Sequence, residues 1–213
     1  MSFTDLKLSP IRLSDLLAVA RVHMAAFPDR ALTMLGTEAV RRYYEWQLTG
    51  PHQVTALGVY QDQRLLGYCF GGRFRGASSG FVKRNWLFLL ARLLSRPGLI
   101  MNGLIRKRAA FGFFTLANFL QFRPVQTDGQ LEARPPSFGI LAIAVDPQQQ
   151  GKGVGRLLME ESEQAAKRGG YQQMHLTVET NNDQAIRFYE LLGWEKYSKN
   201  GGWEGKMHKS LLK

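Results

Sequence analysis

Three glycines at alternate positions mark the stretch of this sequence with the clearest capacity for chemistry. Residues 148–156 read QQQGKGVGR and follow closely on the apolar run 140–145. A loop that leaves a buried strand and begins a helix presents unpaired backbone N–H groups at the positive end of the helix dipole. Such a loop binds anions, most often phosphate. The stretch therefore predicts a phosphate-binding turn between a strand and a helix.

The spacing of the glycines separates this loop from two better-known phosphate loops. A nucleoside-triphosphate loop needs GxxxxGK followed by Ser or Thr, but Lys152 lies between glycines with neither residue in place. The dinucleotide pattern GxGxxG would need a glycine at Arg156. What the sequence contains is Q-x-x-G-x-G, from Gln150 to Gly155.

With its surroundings, this motif resembles the GCN5-related N-acetyltransferase (GNAT) superfamily. The resemblance rests on Asp146-Pro147 after the strand, QGKGVG at 150–155, the pattern N-x-x-A-x-x-F-Y at 182–189, and LGW at 192–194. The first half of the chain matches only in the order of its elements. The resemblance implies the acyl-CoA N-acyltransferase fold and a CoA thioester, acetyl-CoA above all, as the acyl donor.

The resemblance also assigns the residues that hold this co-substrate. The backbone N–H groups of the loop would hold the CoA pyrophosphate, and the loop residues are Gln150, Gly151, Lys152, Gly153, Val154, Gly155 and Arg156. The main chain of the preceding strand would pair with the pantetheine arm through Ile143, Ala144 and Val145. Asn182 would contact the cofactor as well as cap its helix; the alternative is that it only caps.

Acyl transfer to an amine needs a base, an oxyanion donor and a proton for the departing thiolate. Tyr189 occupies the family position of the general acid, although a packing role on its helix is an alternative, and a backbone N–H near Val145 is the expected oxyanion donor. Many relatives carry a glutamate in the strand before the loop, but residues 140–142 are all apolar here. Glu179 and His175, four apart on one face of MHLTVE, are the nearest candidates for the base. His23 and Tyr44 come next, and a water chain is a further alternative.

The elements that must position these residues can be predicted from periodicity and turn residues. In order they are a strand at 6–12, a helix after a Ser14 cap, a helix from Thr37 to just before Gly50, a hairpin turning at QDQ, a helical insertion at about 76–136, a buried strand at 138–145, a helix with Val154, Leu157, Leu158 and Ala165 on one side, a strand at 174–179, an Asn182-capped helix with Ala185, Tyr189 and Leu192 on one stripe, and a hairpin around Asn200-Gly201-Gly202. This order predicts an α/β fold with a mixed, mainly antiparallel central sheet flanked by helices. We expect one domain over residues 1–213, with the basic helical insertion inside it.

The positive charge is concentrated in the insertion. The chain carries a formal net charge of +11, and no acidic residue occurs between Asp62 and Asp128, a segment with eleven arginines and lysines. A basic block favours an anionic ligand, an anionic membrane surface or nucleic acid; a solvated basic face without a partner is the alternative. The aromatic and apolar residues interleaved in 83–108 also suit a helix lying in a membrane interface.

Composition narrows the functional classes. Cys69 is the single cysteine, so no intrachain disulfide can form, and the opening residues lack the features of a secretory signal. The longest apolar run, at Trp86–Ala91, is broken by Arg92 and is far shorter than the ~20 residues that span a bilayer. We therefore expect a cytoplasmic protein, peripheral to the membrane at most, and no metal site.

The acceptor is the open question. A basic, aromatic insertion favours a small anionic acceptor, such as an amino sugar or a sugar nucleotide. The alternatives are a protein N-acetyltransferase and a catalytically silent module that binds CoA or nucleic acid. Nucleic acid is the weaker alternative because the insertion has no recognisable reading motif. The sequence does not predict the acyl chain length or the oligomeric state.

Overall fold

The computed structural model describes residues 6–95, 98, 137–199 and 202–212. Two short 3₁₀ turns, Leu13–Asp15 and Pro147–Gln149, accompany the regular elements. In chain order the regular elements are β1 Lys7–Pro10, α1 Leu16–Ala26, α2 Ala31–Met34, α3 Thr37–Thr49, β2 Gln53–Gln61, β3 Arg64–Arg73, α4 Ala77–Leu94, β4 Ser137–Val145, α5 Val154–Arg168, β5 Gln173–Thr177, α6 Asp183–Leu191, β6 Glu195–Lys199 and β7 Gly202–Ser210.

The strands form one mixed sheet in the order β1-β2-β3-β4-β5-β7-β6. Every neighbouring pair is antiparallel except β4 and β5, so the predicted α/β class with a mainly antiparallel sheet is confirmed. The parallel pair holds for only three residues of each strand, from Ser137 opposite Gln173 to Gly139 opposite His175. Beyond Gly139 the two central strands are no longer paired, which leaves one edge of β4 open.

The chain divides into two units by its internal contacts, and the sheet with α5 and α6 forms the first. Its core joins one face of the sheet to both helices, through Leu158 of α5, Met174 and Leu176 of β5, and Ile186 of α6. The buried side of α5 carries Val154, Leu158, Met159, Ser162 and Ala166. Leu157 and Ala165, also predicted for this side, are half-buried, and the polar Ser162 completes a buried row that advances by four residues.

The second unit contains α1 to α4. Helices α1 and α3 pack through buried residues that include Val19, Ala20 and Tyr44. The predicted bounds of α3 are confirmed, since the helix runs from Thr37 to Thr49. The predicted Ser14 cap is wrong: the Asp15 carboxylate instead accepts the Arg12 N–H at 2.8 Å and closes a 3₁₀ turn before α1.

The predicted hairpin is present as β2 and β3, and its turn is shorter than expected. Asp62 and Gln63 alone connect the strands, both with positive φ (47° and 64°), which is the backbone of a two-residue type I′ turn. Of the predicted insertion the structure describes α4, and the second predicted helix lies outside the described residues. No helix within the described ranges combines the length and apolar character that crossing a membrane requires.

Candidate functional site

The glycine loop joins β4 to α5 through two left-handed residues. Gly151 has φ 75° and Gly153, the N-cap of α5, has φ 78°. An L side chain disfavours this conformation by roughly 1–2 kcal/mol, which explains why glycine occupies both positions. A Cβ added at Gly151 would meet nothing within 4 Å, so open space lies in front of the loop at this residue.

The loop presents a row of backbone donors. The first amide of this region that bonds along the helix is that of Leu157, which donates to the Gly153 carbonyl at 3.0 Å. The six amides of residues 151–156 have no backbone hydrogen bond to any described residue. The first turn of α5 contains no acidic residue. Lys152 and Arg156 instead place positive charge at the positive end of the helix dipole, an arrangement that an anion would stabilise.

Side chains of the loop hold its shape. The Asp146 carboxylate accepts the Gln148 N–H at 3.0 Å and pairs with Arg64 at 2.7 Å. The Lys152 ammonium donates to the Gln148 carbonyl at 2.9 Å, and the Gln150 side chain donates to the Val145 carbonyl at 3.3 Å. The side chains of Lys152 and Gln150 therefore brace the turn that aims the amides.

Gly155 serves packing. Its φ is not positive, and an added Cβ would lie 3.4 Å from Phe188 of α6 and 3.7 Å from Val145. The third glycine therefore allows α5, α6 and the end of β4 to approach one another. Only Gly151 and Gly153 are required by backbone conformation.

The open edge of β4 lies directly before the loop. Asp146 donates its N–H to the Leu66 carbonyl of β3 at 2.8 Å, and Ala144 is the register partner of Tyr68 in the same strand. Successive N–H groups of a strand point to opposite edges, so the amides of Ile143 and Val145 point toward the open edge and that of Ala144 toward β3. An extended ligand could therefore pair with Ile143 and Val145, which fits a pantetheine arm.

Two candidate site residues of the second motif, Asn182 and Tyr189, lie at the N-cap and within helix α6. The Asn182 side chain accepts the Ala185 N–H at 3.1 Å, so its capping role is present. Tyr189 is buried in the core of the sheet unit, with its ring 6.1 Å from that of Trp194. Burial raises the pKa of the Tyr189 hydroxyl. The hydroxyl therefore stays protonated at neutral pH, as a proton donor must.

His175 lies where β4 and β5 separate. Its Nδ1 is 2.7 Å from the Ser137 hydroxyl oxygen, and its ring lies over Gly139, where an added Cβ would be 2.8 Å from Nε2. Burial lowers the pKa of His175 below its ordinary value of 6.5, so the imidazole is neutral near pH 7. A neutral imidazole with one nitrogen hydrogen-bonded to Ser137 is a suitable general base.

Ser137 and Gly139 were not found by sequence reasoning. They are 38 and 36 residues from His175 along the chain and reach it only through the parallel register of β4 and β5. The available signal was a glycine one residue into the strand 138–145, at a position where a buried strand would favour a larger side chain.

Glu179 lies two residues beyond the end of β5, where its carbonyl accepts the Asn182 N–H at 3.0 Å. Burial alternates along this segment: Met174, Leu176 and Val178 are buried in the core that contains Tyr189. His175 and Glu179 alternate with these buried residues and so face the opposite side of the sheet from this core. The structure thus places the candidate acid and the two candidate bases on different faces of β5.

His23 and Tyr44 form a separate pair in the helical unit. Nδ1 of His23 lies 2.9 Å from the Tyr44 hydroxyl, and both residues are buried. Burial, with a smaller effect from the Arg30 charge, lowers the pKa of His23 to about 4. The pair thus has the features of a buried polar contact in the helix core.

In the described part of the chain no group of three or more His, Cys, Asp or Glu side chains is arranged to hold a metal ion. The donor set of the glycine loop is backbone N–H, which binds phosphate oxygens and does not ligate cations.

Comparison with known proteins agrees with this geometry. A model of the acetyltransferase (GNAT) family matches residues 17–194. The mycothiol acetyltransferase of Kocuria rhizophila is 28% identical over 142 residues, which cover 60% of this chain and 47% of that protein. The chain therefore spans about half the length of this curated relative.

Solved structures share the fold at low identity. The PaiA N-acetyltransferase of Thermoplasma acidophilum in complex with coenzyme A has a TM-score of 0.57 at 13% identity, with 99% of each chain covered. The yncA protein of Salmonella typhimurium with acetyl-CoA has a TM-score of 0.55 at 18% identity, with 98% of this chain and 95% of that one covered. Since the family model takes in both the glycine loop and the motif of α6, the chain belongs to the acetyltransferase (GNAT) family.

Proposed function

We propose that this protein transfers an acetyl group from acetyl-CoA to an amine of a small, anionic acceptor such as an amino sugar or a sugar nucleotide. The observation that carries the proposal is the row of six backbone amides at residues 151–156, opened by two left-handed glycines at the end of an unpaired strand edge. Because the family match spans both units, we propose that they act as one acetyltransferase domain with an inserted helical segment.

The chain offers two adjoining surfaces that fit CoA. The amides of 151–156 would hold the diphosphate, with Lys152 and Arg156 adding charge. The open edge of β4 would pair with the pantetheine arm through Ile143 and Val145. Asn182 would lie beside the cofactor while it caps α6.

The chemistry requires two proton movements. Bound acetyl-CoA supplies the acetyl group as an activated thioester, and the acceptor nitrogen replaces sulfur on the acetyl carbon. With the acetyl carbon in the gap where β4 and β5 separate beyond Gly139, His175 would accept the proton that the amine loses on one face of the sheet. Tyr189 would donate a proton to the departing sulfur from the other face. The Val145 N–H, on the open edge, would stabilise negative charge on the carbonyl oxygen. Glu179, on the same face as His175, is the alternative base.

The choice of acceptor rests on charge. The segment between Asp62 and Asp128 contains eleven basic residues and no acidic residue. The relative from Kocuria rhizophila is a mycothiol acetyltransferase, which favours a small-molecule acceptor over a protein.

The test is a turnover screen of acetyl-CoA against amino sugars, sugar nucleotides, simple amines and peptides, with release of free thiol as the readout. The Gly153→Glu variant should lose activity by at least a hundredfold because a carboxylate would enter the anion site. Gly170→Glu is the matched control, since Gly170 has φ 74° at the other end of α5 and no atom within 4 Å of an added Cβ. Equal activity of the two variants would contradict the proposal.

The base is tested by the pH profile. If His175 is the base, the rate should rise with pH through a pKa below 6.5 and then level off, and His175→Gln should remove this step. Ser137→Ala should move the step while leaving the KM for acetyl-CoA within twofold. A profile that His175→Gln leaves intact would transfer the role to Glu179 or to water.

We also propose a cytoplasmic location with peripheral contact to anionic membranes through residues 83–108. Cys69 is a buried free thiol, which suits a reducing compartment. Three leucines of α4 are exposed on one side of the helix, Leu87 (63%), Leu90 (46%) and Leu94 (69%). Arg92 has a structural role within the helical unit, because its Nε–H donates to the Leu35 carbonyl at 2.8 Å.

Co-sedimentation with phosphatidylglycerol vesicles tests the membrane contact. The double variant Leu87→Asn, Leu94→Asn should reduce binding at least fivefold because the helix loses its apolar side. Leu212→Asn is the control, since Leu212 is equally exposed (66%) and lies outside α4. Unchanged sedimentation of the double variant would remove this part of the proposal.

A further inference from the structure

A polar cavity of about 300 Å³ lies between α3 and α4 in the helical unit, and none of its lining residues belongs to the glycine loop or to the sheet. The cavity is lined by Arg41, Arg42, Glu45, Trp46, Arg84 and Asn85. We propose that it binds the phosphate group of a phosphate ester, carried either by a soluble molecule or by a lipid headgroup.

Two of the three guanidinium groups are held in place by one carboxylate. Glu38 accepts Nε of Arg41 at 2.8 Å and Nε of Arg42 at 2.7 Å, and Glu45 accepts a further N–H of Arg41 at 3.1 Å. These hydrogen bonds and charges, with that to Arg41 foremost, lower the pKa of Glu38 to about 2. Glu38 therefore stays ionised across the physiological pH range, and the two guanidinium groups are fixed before any ligand arrives.

The third guanidinium, that of Arg84, supplies the positive charge in excess. It has no ion pair with any residue that the structure describes, and it lies 5.9 Å from the centre of the Trp46 ring. The Trp46 indole N–H donates to the Gly76 carbonyl at 3.4 Å, which orients the ring. Guanidinium groups offer planar, paired donors that match phosphate oxygens, so three of them around one cavity favour phosphate.

A break in α4 coincides with the cavity. Asn85 has φ −117° and ψ 19°, which is not helical, and its side-chain amide donates to the Phe81 carbonyl at 3.1 Å. Its side-chain oxygen lies 3.4 Å from a guanidinium nitrogen of Arg42. A side chain that takes over a carbonyl of the helix ladder explains the kink, and the kink places a neutral polar group among the arginines.

The test uses inorganic phosphate as the probe and the Trp46 indole as a reporter inside the cavity. The ¹H–¹⁵N resonance of the Trp46 indole, assigned with Trp46→Phe, is followed during phosphate titration of the protein, once with CoA present and once without it. Sodium chloride at equal ionic strength is the reference. We expect a saturable shift in phosphate only, and a midpoint at least fivefold higher in Arg84→Gln.

Arg21→Gln is the matched control because Arg21 is exposed on α1, so that this substitution removes the same charge outside the cavity. Its midpoint should stay within twofold of the parent protein. The proposal is overturned if phosphate and chloride produce the same unsaturable drift, or if Arg84→Gln leaves the midpoint unchanged. Because the reporter lies in the cavity, this result does not depend on whether the glycine loop binds CoA.

Vesicles distinguish the two sources of phosphate. Co-sedimentation with phosphatidylglycerol in phosphatidylcholine that falls at least fivefold in Arg84→Gln and not in Arg21→Gln assigns the site to a lipid headgroup. A saturable response to inorganic phosphate, without Arg84-dependent vesicle binding, assigns it to a soluble phosphate ester.

Discussion

Two glycines at opposite ends of α5 allow a test that separates an effect on stability from an effect on CoA binding. Gly151 and Gly170 lie beyond opposite ends of α5, have φ of 75° and 74°, and would each point an added Cβ into open space. Alanine should therefore destabilise the protein by the same amount at either position, about 1 kcal/mol, because the left-handed backbone is the same.

The effect on CoA should differ between the two variants. At Gly151 the open space is the place proposed for the diphosphate, so a methyl group would push it away from one or more amides. A hydrogen bond to a charged group contributes roughly 1.5–3 kcal/mol, which predicts a loss of CoA affinity of about 10- to 150-fold. At Gly170 no ligand is proposed, and the affinity should not change.

Calorimetric titration with CoA would give the affinity of both variants, and urea unfolding would give their free energies of unfolding. If the variants lose stability equally and also bind CoA equally, the space before Gly151 holds no phosphate and the proposed CoA site is refuted. A much larger loss of stability at Gly151 alone would show that the loop glycine serves the fold.

Three further predictions each concern a single residue. The pKa of His23 is about 4 in the folded state and 6.5 in the unfolded state, so the unfolded state binds the proton more tightly. The free energy of unfolding should therefore fall by about 3 kcal/mol as the pH drops from 7 to 4. In urea unfolding of His23→Gln, the fall between these two pH values should be smaller by about 3 kcal/mol. Gly139→Ala would bring a Cβ within 2.8 Å of His175 Nε2, so the ring must move; the pH step of the turnover rate should shift or vanish while calorimetry shows unchanged CoA affinity. Asn182→Ala should lower the free energy of unfolding by about 1 kcal/mol through loss of the cap, and any fall in CoA affinity measured on the same sample would reveal direct contact with the cofactor.

The parts of the site that the sequence predicts are those formed by neighbours along the chain. The alternate glycines predict a strand-to-helix turn because left-handed residues and exposed amides are local properties of the chain. Asn182 and Tyr189 lie seven residues apart on one helix, so their placement also follows from local periodicity.

The parts that sequence reasoning missed depend on register between distant segments. His175 meets Ser137 and Gly139 only because β4 and β5 pair in parallel for three residues, and no local pattern encodes that register. The arginine cavity likewise joins Arg84 to Arg41, which lie on different helices. The wrong Ser14 cap shows competition at short range, where the carboxylate of Asp15 takes the backbone N–H instead.

The most direct test of the central claim is a crystal structure of the protein with CoA bound. We expect diphosphate oxygens within about 3.2 Å of backbone nitrogens between Gly151 and Arg156, and the pantetheine arm paired with the edge of β4 at Ile143 and Val145. A well-ordered loop with no CoA on it, or CoA held by its phosphates in the arginine cavity between α3 and α4, would contradict the account.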